Sequence, residues 1–172
     1  AEKLHNAGAT LVVSDIDPAK TAKAAEVFGA TIVDPDAILT QDMDVFAPCG
    51  LGRILDEKSV AGLRARAVAG AANNQLASPE VDRLLFQRGV LYAPDYVINA
   101  GGIISISHEG RAYNRDEAMA HCARIGDTLS EIFQRAGNEQ RPTNEVADQL
   151  AEERVIAHGK AKKEMRLSSF AG

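Results

Sequence analysis

Residues 9–29 read ATLVVSDIDPAKTAKAAEVFG, and the change of pattern inside this stretch decides the fold. Ala9–Asp15 is dense in valine and leucine, the composition of a strand buried on both faces. Pro18 suits the first turn of a helix, where its missing N–H would have had no partner. The helical pattern then continues to Gly29, a residue able to take the left-handed conformation that closes helices. A buried strand feeding a helix of this length is half of a right-handed parallel crossover.

Outward from this unit the alternation repeats. Upstream, Ala1–Asn6 reads as the last turns of a helix ended by a left-handed Gly8, so the chain reads as a piece of a longer protein. Downstream, TIV (31–33) is a short strand and DPDAILT (34–40) a brief helix or turn opened by Asp34. DVFAP (44–48) is a strand stopped by Pro48. A helix around Asp56–Leu63 leads to the strand RAVAG (66–70). SPEVDRLLFQR (78–88) predicts a helix with Ser78 as N-cap, Pro79 at its first position and Gly89 as terminator. VLYAP (90–94) is the last strand. The expected architecture is a doubly wound α/β domain with a mostly parallel sheet. After Gly101 two long helices follow. The first is capped by Asn114 and carries Ala118, Cys122, Ile125, Leu129, Ile132 and Phe133 at helical spacing; the second has Thr143 as its N-cap.

Composition narrows the function. With 19 basic against 24 acidic residues the net charge is −5, which argues against a nucleic-acid surface. No apolar run approaches the ~20 residues of a membrane helix, and no signal peptide is visible; the cytoplasm is the expected location. Cys49 and Cys122 lie far apart without metal-type spacing, so neither a disulfide framework nor a metal site is expected.

In open parallel sheets ligands bind beyond the carboxyl ends of the strands, and four such ends carry candidates. Asp15 could accept the hydroxyls of an adenosine ribose and disfavour a 2′-phosphate; the alternative is a capping role, for which Asp17 is better placed. Ala47, Pro48 and Cys49 open a loop, APCGLG, whose small residues let a backbone approach a ligand. Cys49 has no neighbouring histidine and reads as a packing residue, not a nucleophile. In GAANNQL (70–76), Ala71 and Asn73 could face a ribose or a carboxamide, with Asn74 binding local backbone; both asparagines could equally be turn-formers. Asn99 precedes Gly101 and Gly102, which would begin a helix whose free N–H groups face the cleft; the alternative is a plain turn with Asn99 as N-cap. Lys20, Lys23 and Lys58 read as solvated surface, and His5, His108, His121 and His158 show no base-like setting.

Six motifs in register, VVSDID, DVFAPCGLG, VAGAANNQL, YAPDYVINAGG, YNRDEAM and ADQLAEER, resemble the nucleotide-binding part of the glutamate/leucine/phenylalanine/valine dehydrogenase superfamily, with the leucine branch most similar. The resemblance implies a Rossmann-type fold, with residues 1–112 a partial NAD-binding domain and residues 113–172 helices packing on it and on a substrate domain. It implies NAD-dependent oxidative deamination of an apolar L-amino acid to its 2-oxo acid and ammonia, in a homo-oligomer without nucleic-acid or membrane partners. It places Asp15 on the adenosine ribose, Ala47–Cys49 and Ala71 along the cofactor, Asn73 near the nicotinamide ribose, and Asn99 where nicotinamide and substrate meet. The helix holding Asn114–Phe133 is similar to one that contributes to the side-chain pocket. Such proteins carry upstream a first strand, a glycine-rich turn and a domain supplying the catalytic lysines and acid. None of these falls within the 172 residues, so no catalytic residue is assigned here, and the chain alone is expected to lack activity and to bind NAD weakly or not at all. Gly50 stands where the family usually has alanine. The rival readings are an NAD enzyme of the same fold acting on a hydroxy acid, and a non-catalytic nucleotide-binding module.

Overall fold

A computed structural model describes residues 1–110 and 113–169. Its elements in chain order are α1 (Glu2–Asn6), β1 (Val12–Val13), α2 (Pro18–Phe28), β2 (Thr31–Ile32), a 3-10 turn (Ile38–Thr40), β3 (Val45–Phe46) and α3 (Glu57–Gly62). There follow β4 (Ala67–Val68), α4 (Glu80–Gln87), β5 (Leu91–Tyr92), α5 (Asp95–Ile98), α6 (Gly101–Ser107), α7 (Arg115–Glu139) and α8 (Thr143–Ser169). β1 and β2 form one parallel pair, and β3, β4 and β5 form a second parallel sheet in that order. The expected single sheet is therefore two among the described residues, since no ladder joins β1 to β3. The ladders are also shorter than the apolar runs suggested, two residues each.

In the larger sheet Phe46, Val68 and Tyr92 are register partners, and all three are buried. Side chains alternate along a strand, so Val45 and Leu91, one residue earlier, face the opposite side and are exposed. The buried row packs against Val60 and Leu63 of the α3 segment, Val81 and Leu85 of α4, and Leu55. Each such large side chain contributes about 1.5–3 kcal/mol through burial. α3 and α4 thus cover one side of this sheet. The burial on both faces expected of Ala9–Asp15 falls short. Val12 and Val13 of β1 are only half-buried.

The helix ends follow local chemistry. Asp17 caps α2 by accepting the Ala19 N–H at 2.9 Å, and Gly29 closes that helix at φ 62°. Asn114 caps α7 by accepting the Asp116 and Glu117 N–H groups. Two caps differ from expectation. α4 begins at Glu80 with Pro79 as its N-cap, because the Ser78 hydroxyl bonds the Glu80 side chain and not a helix N–H. α8 begins at Thr143 itself, whose buried hydroxyl finds no partner among the described residues.

α7 and α8 form a hairpin around a second core of Ile132, Ala136, Val146, Ala147 and Leu150, with Val97 and Phe133 against it. Arg135 grips Glu153 through two hydrogen bonds, at 2.8 and 3.0 Å. α8 also lands on α4. Asp82, in the first turn of α4 and only 4% exposed, lies against the Asn144 N–H at the start of α8. Burial pushes its carboxyl up from an ordinary 3.8 to about 6, and the nearby Glu145 and Asp148 add to this against Asn144 and Arg83. A carboxyl whose pKa is raised by folding contributes stability below its unfolded value, and that stability is lost as pH rises through the folded value. The protein is therefore expected to lose stability between about pH 4 and pH 6 through this group. Asp82→Asn keeps the acceptor and removes the charge. It should raise stability at neutral pH by about 1–3 kcal/mol and flatten that part of the pH profile, as read by urea unfolding across the range.

Candidate functional site

The carboxyl ends of β3, β4 and β5 lead into three loops, the first two of which touch one another through main chain. The Ala72 N–H donates to the Pro48 carbonyl at 2.9 Å, and the Arg53 N–H to the Asn74 carbonyl at 2.6 Å. Glycine permits this approach. A Cβ on the buried Gly70 would overlap the nitrogen and carbonyl oxygen of Pro48, and one on Gly52 would stand 2.6 Å from the Asn73 carbonyl oxygen. Asn74 takes the left-handed conformation at φ 51°, which asparagine tolerates better than most residues, so Asn74 is a turn-former. Pro48 is buried in the rim, while Ala47, Cys49 and Ala71 are exposed along it. Cys49 is a free thiol.

The third loop brings in Asn99. Its Nδ2 donates to Oδ1 of Asn73 at 2.6 Å and to the Ala72 carbonyl at 3.5 Å. The two carboxamides singled out from sequence thus meet across 26 residues of chain. The local setting of Asn99 differs from expectation. A helical turn, α5, intervenes after the last strand, and Asn99 ends it with φ −95° and ψ 8°. Its own N–H bonds to the Asp95 carbonyl. With the backbone already turning helically, Asn99 cannot act as an N-cap, and its side chain is left for Asn73. Gly101 does begin α6. A Cβ there would sit 3.9 Å from the Cys122 sulfur of α7, whereas Gly102 faces open space. α6 leaves Ile103 and Ile106, three residues apart, 68% and 61% exposed.

Six of the expected site residues, Ala47, Pro48, Cys49, Ala71, Asn73 and Asn99, share this rim. Asp15 stands apart, beyond β1 in the other sheet. Its Oδ1 accepts the Asp17 N–H at 2.9 Å and lies 3.8 Å from Lys20 Nζ. No hydrogen bond links it to the rim among the described residues. Lys20, expected as plain surface, is thus the basic neighbour of Asp15.

Two features escaped the sequence reading. Gln75, 0% exposed, donates through Nε2 to the Gly70 and Ala72 carbonyls. The only prior signal was a carboxamide beside an apolar residue, which spacing cannot interpret. His108 and His121, expected as separate surface groups, lie 3.0 Å apart, Nε2 to Nδ1, and join the end of α6 to α7. One ring must supply the hydrogen and the other the lone pair. His121 also lines a cleft of about 550 Å³ with Val97, Ala100, Ile104, Arg124 and Ile125, just behind Asn99. A concavity of about 520 Å³ at Arg64, Arg66 and Arg88 lies at the amino ends of β4 and β5, the wrong end of the sheet for a ligand of this fold.

Comparison with known proteins gives a consistent result. A family model described as Glutamate/Leucine/Phenylalanine/Valine dehydrogenase matches residues 4–165. Leucine dehydrogenase of Geobacillus stearothermophilus is 43% identical over 159 residues, which are 92% of this chain and 43% of that protein. L-tryptophan dehydrogenase of Nostoc punctiforme (strain ATCC 29133 / PCC 73102) is 44% identical over 153 residues, 88% of this chain and 43% of that one. A crystal structure of L-tryptophan dehydrogenase from Nostoc punctiforme superposes with a TM-score of 0.89 at 42% identity, covering 92% of this chain and 48% of that chain. The chain spans less than half the length of these relatives.

The glycines separate two kinds of position. Gly70→Ala should lower stability by about 2–3 kcal/mol, because the Pro48 backbone must move. Gly50 has nothing within 4 Å of a Cβ and no positive φ, so Gly50→Ala should change stability by less than about 1 kcal/mol. Thermal unfolding of both variants measures the contrast.

Proposed function

The chain belongs to the glutamate/leucine/phenylalanine/valine dehydrogenase family, and we propose that it is the nucleotide-binding portion of an NAD-dependent L-amino-acid dehydrogenase. The parent reaction converts an apolar L-amino acid to its 2-oxo acid and ammonia, reversibly. The observation that carries this reading is the carboxamide pair, Asn99 on Asn73, at the carboxyl ends of three parallel strands. Bound there, the nicotinamide supplies the acceptor for a hydride leaving the substrate α-carbon.

The chain's own residues fit such a group. Ala47, Cys49 and Ala71 are small and exposed, so a flat ligand can lie against the rim. The Asn99–Asn73 bond leaves Nδ2 of Asn73 and Oδ1 of Asn99 turned to other partners, a neutral donor and a neutral acceptor. They orient nicotinamide ribose and substrate without adding charge at the reacting carbon. Ile103 and Ile106, exposed on α6 just beyond Asn99, favour an apolar substrate side chain. Asp15 accepts the adenosine ribose, and Lys20 at 3.8 Å partly offsets its repulsion of a 2′-phosphate. In this reading residues 1–112 hold the nucleotide and residues 113–172 brace them against the substrate domain. No residue of this chain transfers a proton. Among the described residues no helix is long and apolar enough to cross a membrane.

The test is NADH formation by the protein expressed from its full reading frame, with L-leucine, L-valine and L-phenylalanine as substrates. Turnover with ammonia release is expected, and Asn99→Ala should lower kcat by about 10–100-fold through lost orientation. A protein that binds NAD but oxidises no amino acid is a nucleotide-binding module, and one that oxidises only hydroxy acids belongs to another substrate class. Lys20→Glu should raise the ratio of kcat/KM for NAD over NADP; an unchanged ratio removes Asp15 from the ribose site.

A further inference from the structure

We propose that Gln75 is the positioning residue of this rim: a buried carboxamide that touches no ligand but sets where Asn73 and Asn99 stand. Four connections meet at this one residue. Its Nε2 donates to the Gly70 carbonyl at 2.8 Å and to the Ala72 carbonyl at 2.9 Å, inside the loop that carries Ala71 and Asn73. Its backbone N–H donates to Oδ2 of Asp95 at 3.3 Å, at the start of the turn that ends on Asn99. Its backbone carbonyl accepts the Leu55 N–H at 3.0 Å, closing the loop that opens at Ala47. The loops from all three strands therefore meet at one residue, the other two at its backbone and its own loop at a side chain that is 0% exposed.

The chemistry selects a carboxamide for this place. An NH2 group has two hydrogens and meets two carbonyls, one each. The reversed amide would turn its oxygen against both carbonyl oxygens, so the orientation is fixed. Gln75 Oε1 is buried and has no partner among the described residues, so the side chain is held through its donors alone. The Ala72 carbonyl is the shared atom, since it also accepts Asn99 Nδ2 at 3.5 Å. Removing the Gln75 donors frees Ala72, and with it both Asn73, its chain neighbour, and Asn99. Glutamate would set lone pairs against the two carbonyls and could donate only in its protonated form.

The link from Gln75 to turnover rests on the dehydrogenase reading above; its link to the two asparagines does not, and the experiment separates them. In the full-reading-frame protein, NMR of the asparagine and glutamine side-chain amides is recorded for wild type, Gln75→Met and Gln75→Glu, with Asn73→Ala marking the Asn99 signal freed of its partner. Expected are slow hydrogen exchange at the Gln75 amide in wild type and a shift of Asn99 in Gln75→Met towards its Asn73→Ala position. In Gln75→Glu, Asn99 should return towards its wild-type position as pH is lowered and the new carboxyl protonates, a reversal that simple loss of packing does not produce. Alongside, kcat in Gln75→Met should fall about tenfold or more with the NAD KM changing less. Unmoved asparagine signals, or fast exchange of the wild-type Gln75 amide, overturn the proposal, the second even if neither variant folds. Shifted signals with unchanged kcat overturn its catalytic part. A wild-type protein that turns over no amino acid removes the dehydrogenase reading and leaves the asparagine signals to judge Gln75.

Discussion

Phe46, Val68 and Tyr92 stand side by side in three parallel strands, each buried, and the rest of the site depends on that register. Slipping one strand by a residue would turn its buried side chain to the open face and bring an exposed neighbour into the core. The apolar contacts with α3 and α4 hold the register. Because the strands are parallel, a shared register also sets their carboxyl ends level. The loops after Phe46, Val68 and Tyr92 leave the sheet at one height; the first two meet by main-chain bonds such as Ala72 N–H to Pro48, and the third joins through the Asp95 and Asn99 side chains. The meeting of Asn73 and Asn99 follows from the core beneath them, though neither belongs to it.

How legible this was depended on whether the relevant partner was near in sequence. Asp17 before Pro18, Gly29 after Phe28 and Asn114 before Arg115 act on backbone within a few residues, and each does what its type predicted. The strand ends were legible too, as apolar runs stopped by proline or glycine, although the ladders are shorter than those runs. Asn99 meets Asn73, but a helical turn stands between it and the last strand. Tyr96, Val97 and Ile98 are residues that favour strands, yet here they form a helical turn after Pro94. The turn gains from tertiary contacts: Tyr96 reaches Asp148 at 2.7 Å and Val97 packs on the α7–α8 core. Local preference carries no information about either. Asp82 was missed for the same reason: an aspartate in the first turn of a helix ordinarily faces water, and here a helix some sixty residues later closes over it. Gln75 was missed although its side-chain partners, the Gly70 and Ala72 carbonyls, are near in sequence, because its burial is not.

The C-terminal helices also bear on the rim. α8 meets α4 through Asp82 and Asn144 and through the Arg83–Glu145 pair, and it meets α5 through Asp148 and Tyr96. Burial, then the Asp148 carboxylate, pushes the Tyr96 hydroxyl well above the usual phenol range, which keeps it a donor. Tyr96 follows Asp95, the residue whose carboxylate takes the Gln75 N–H. Changes at the start of α8 are therefore two side chains from the turn that presents Asn99. This route is a set of direct contacts, and it makes the hairpin a brace for the site as well as a second core.

The choice of amides over charged groups at the rim has a physical reason. Under the dehydrogenase reading proposed above, a charged side chain beside the reacting carbon would favour one charge state of substrate and nicotinamide over the other in both directions of a reversible hydride transfer. In that reading Asn73 and Asn99 fix position with dipoles and leave that balance to the ligand. Their cost is orientational, because an amide flipped by half a turn exchanges donor for acceptor. The structure removes that freedom in steps. Asn99 Nδ2 is held by Asn73 Oδ1 and approaches the Ala72 carbonyl. The Ala72 carbonyl is held by Gln75 Nε2, whose own orientation is set by Gly70. The chain of amide contacts that starts at the exposed Asn73 ends at Gln75, a side chain that water cannot reach.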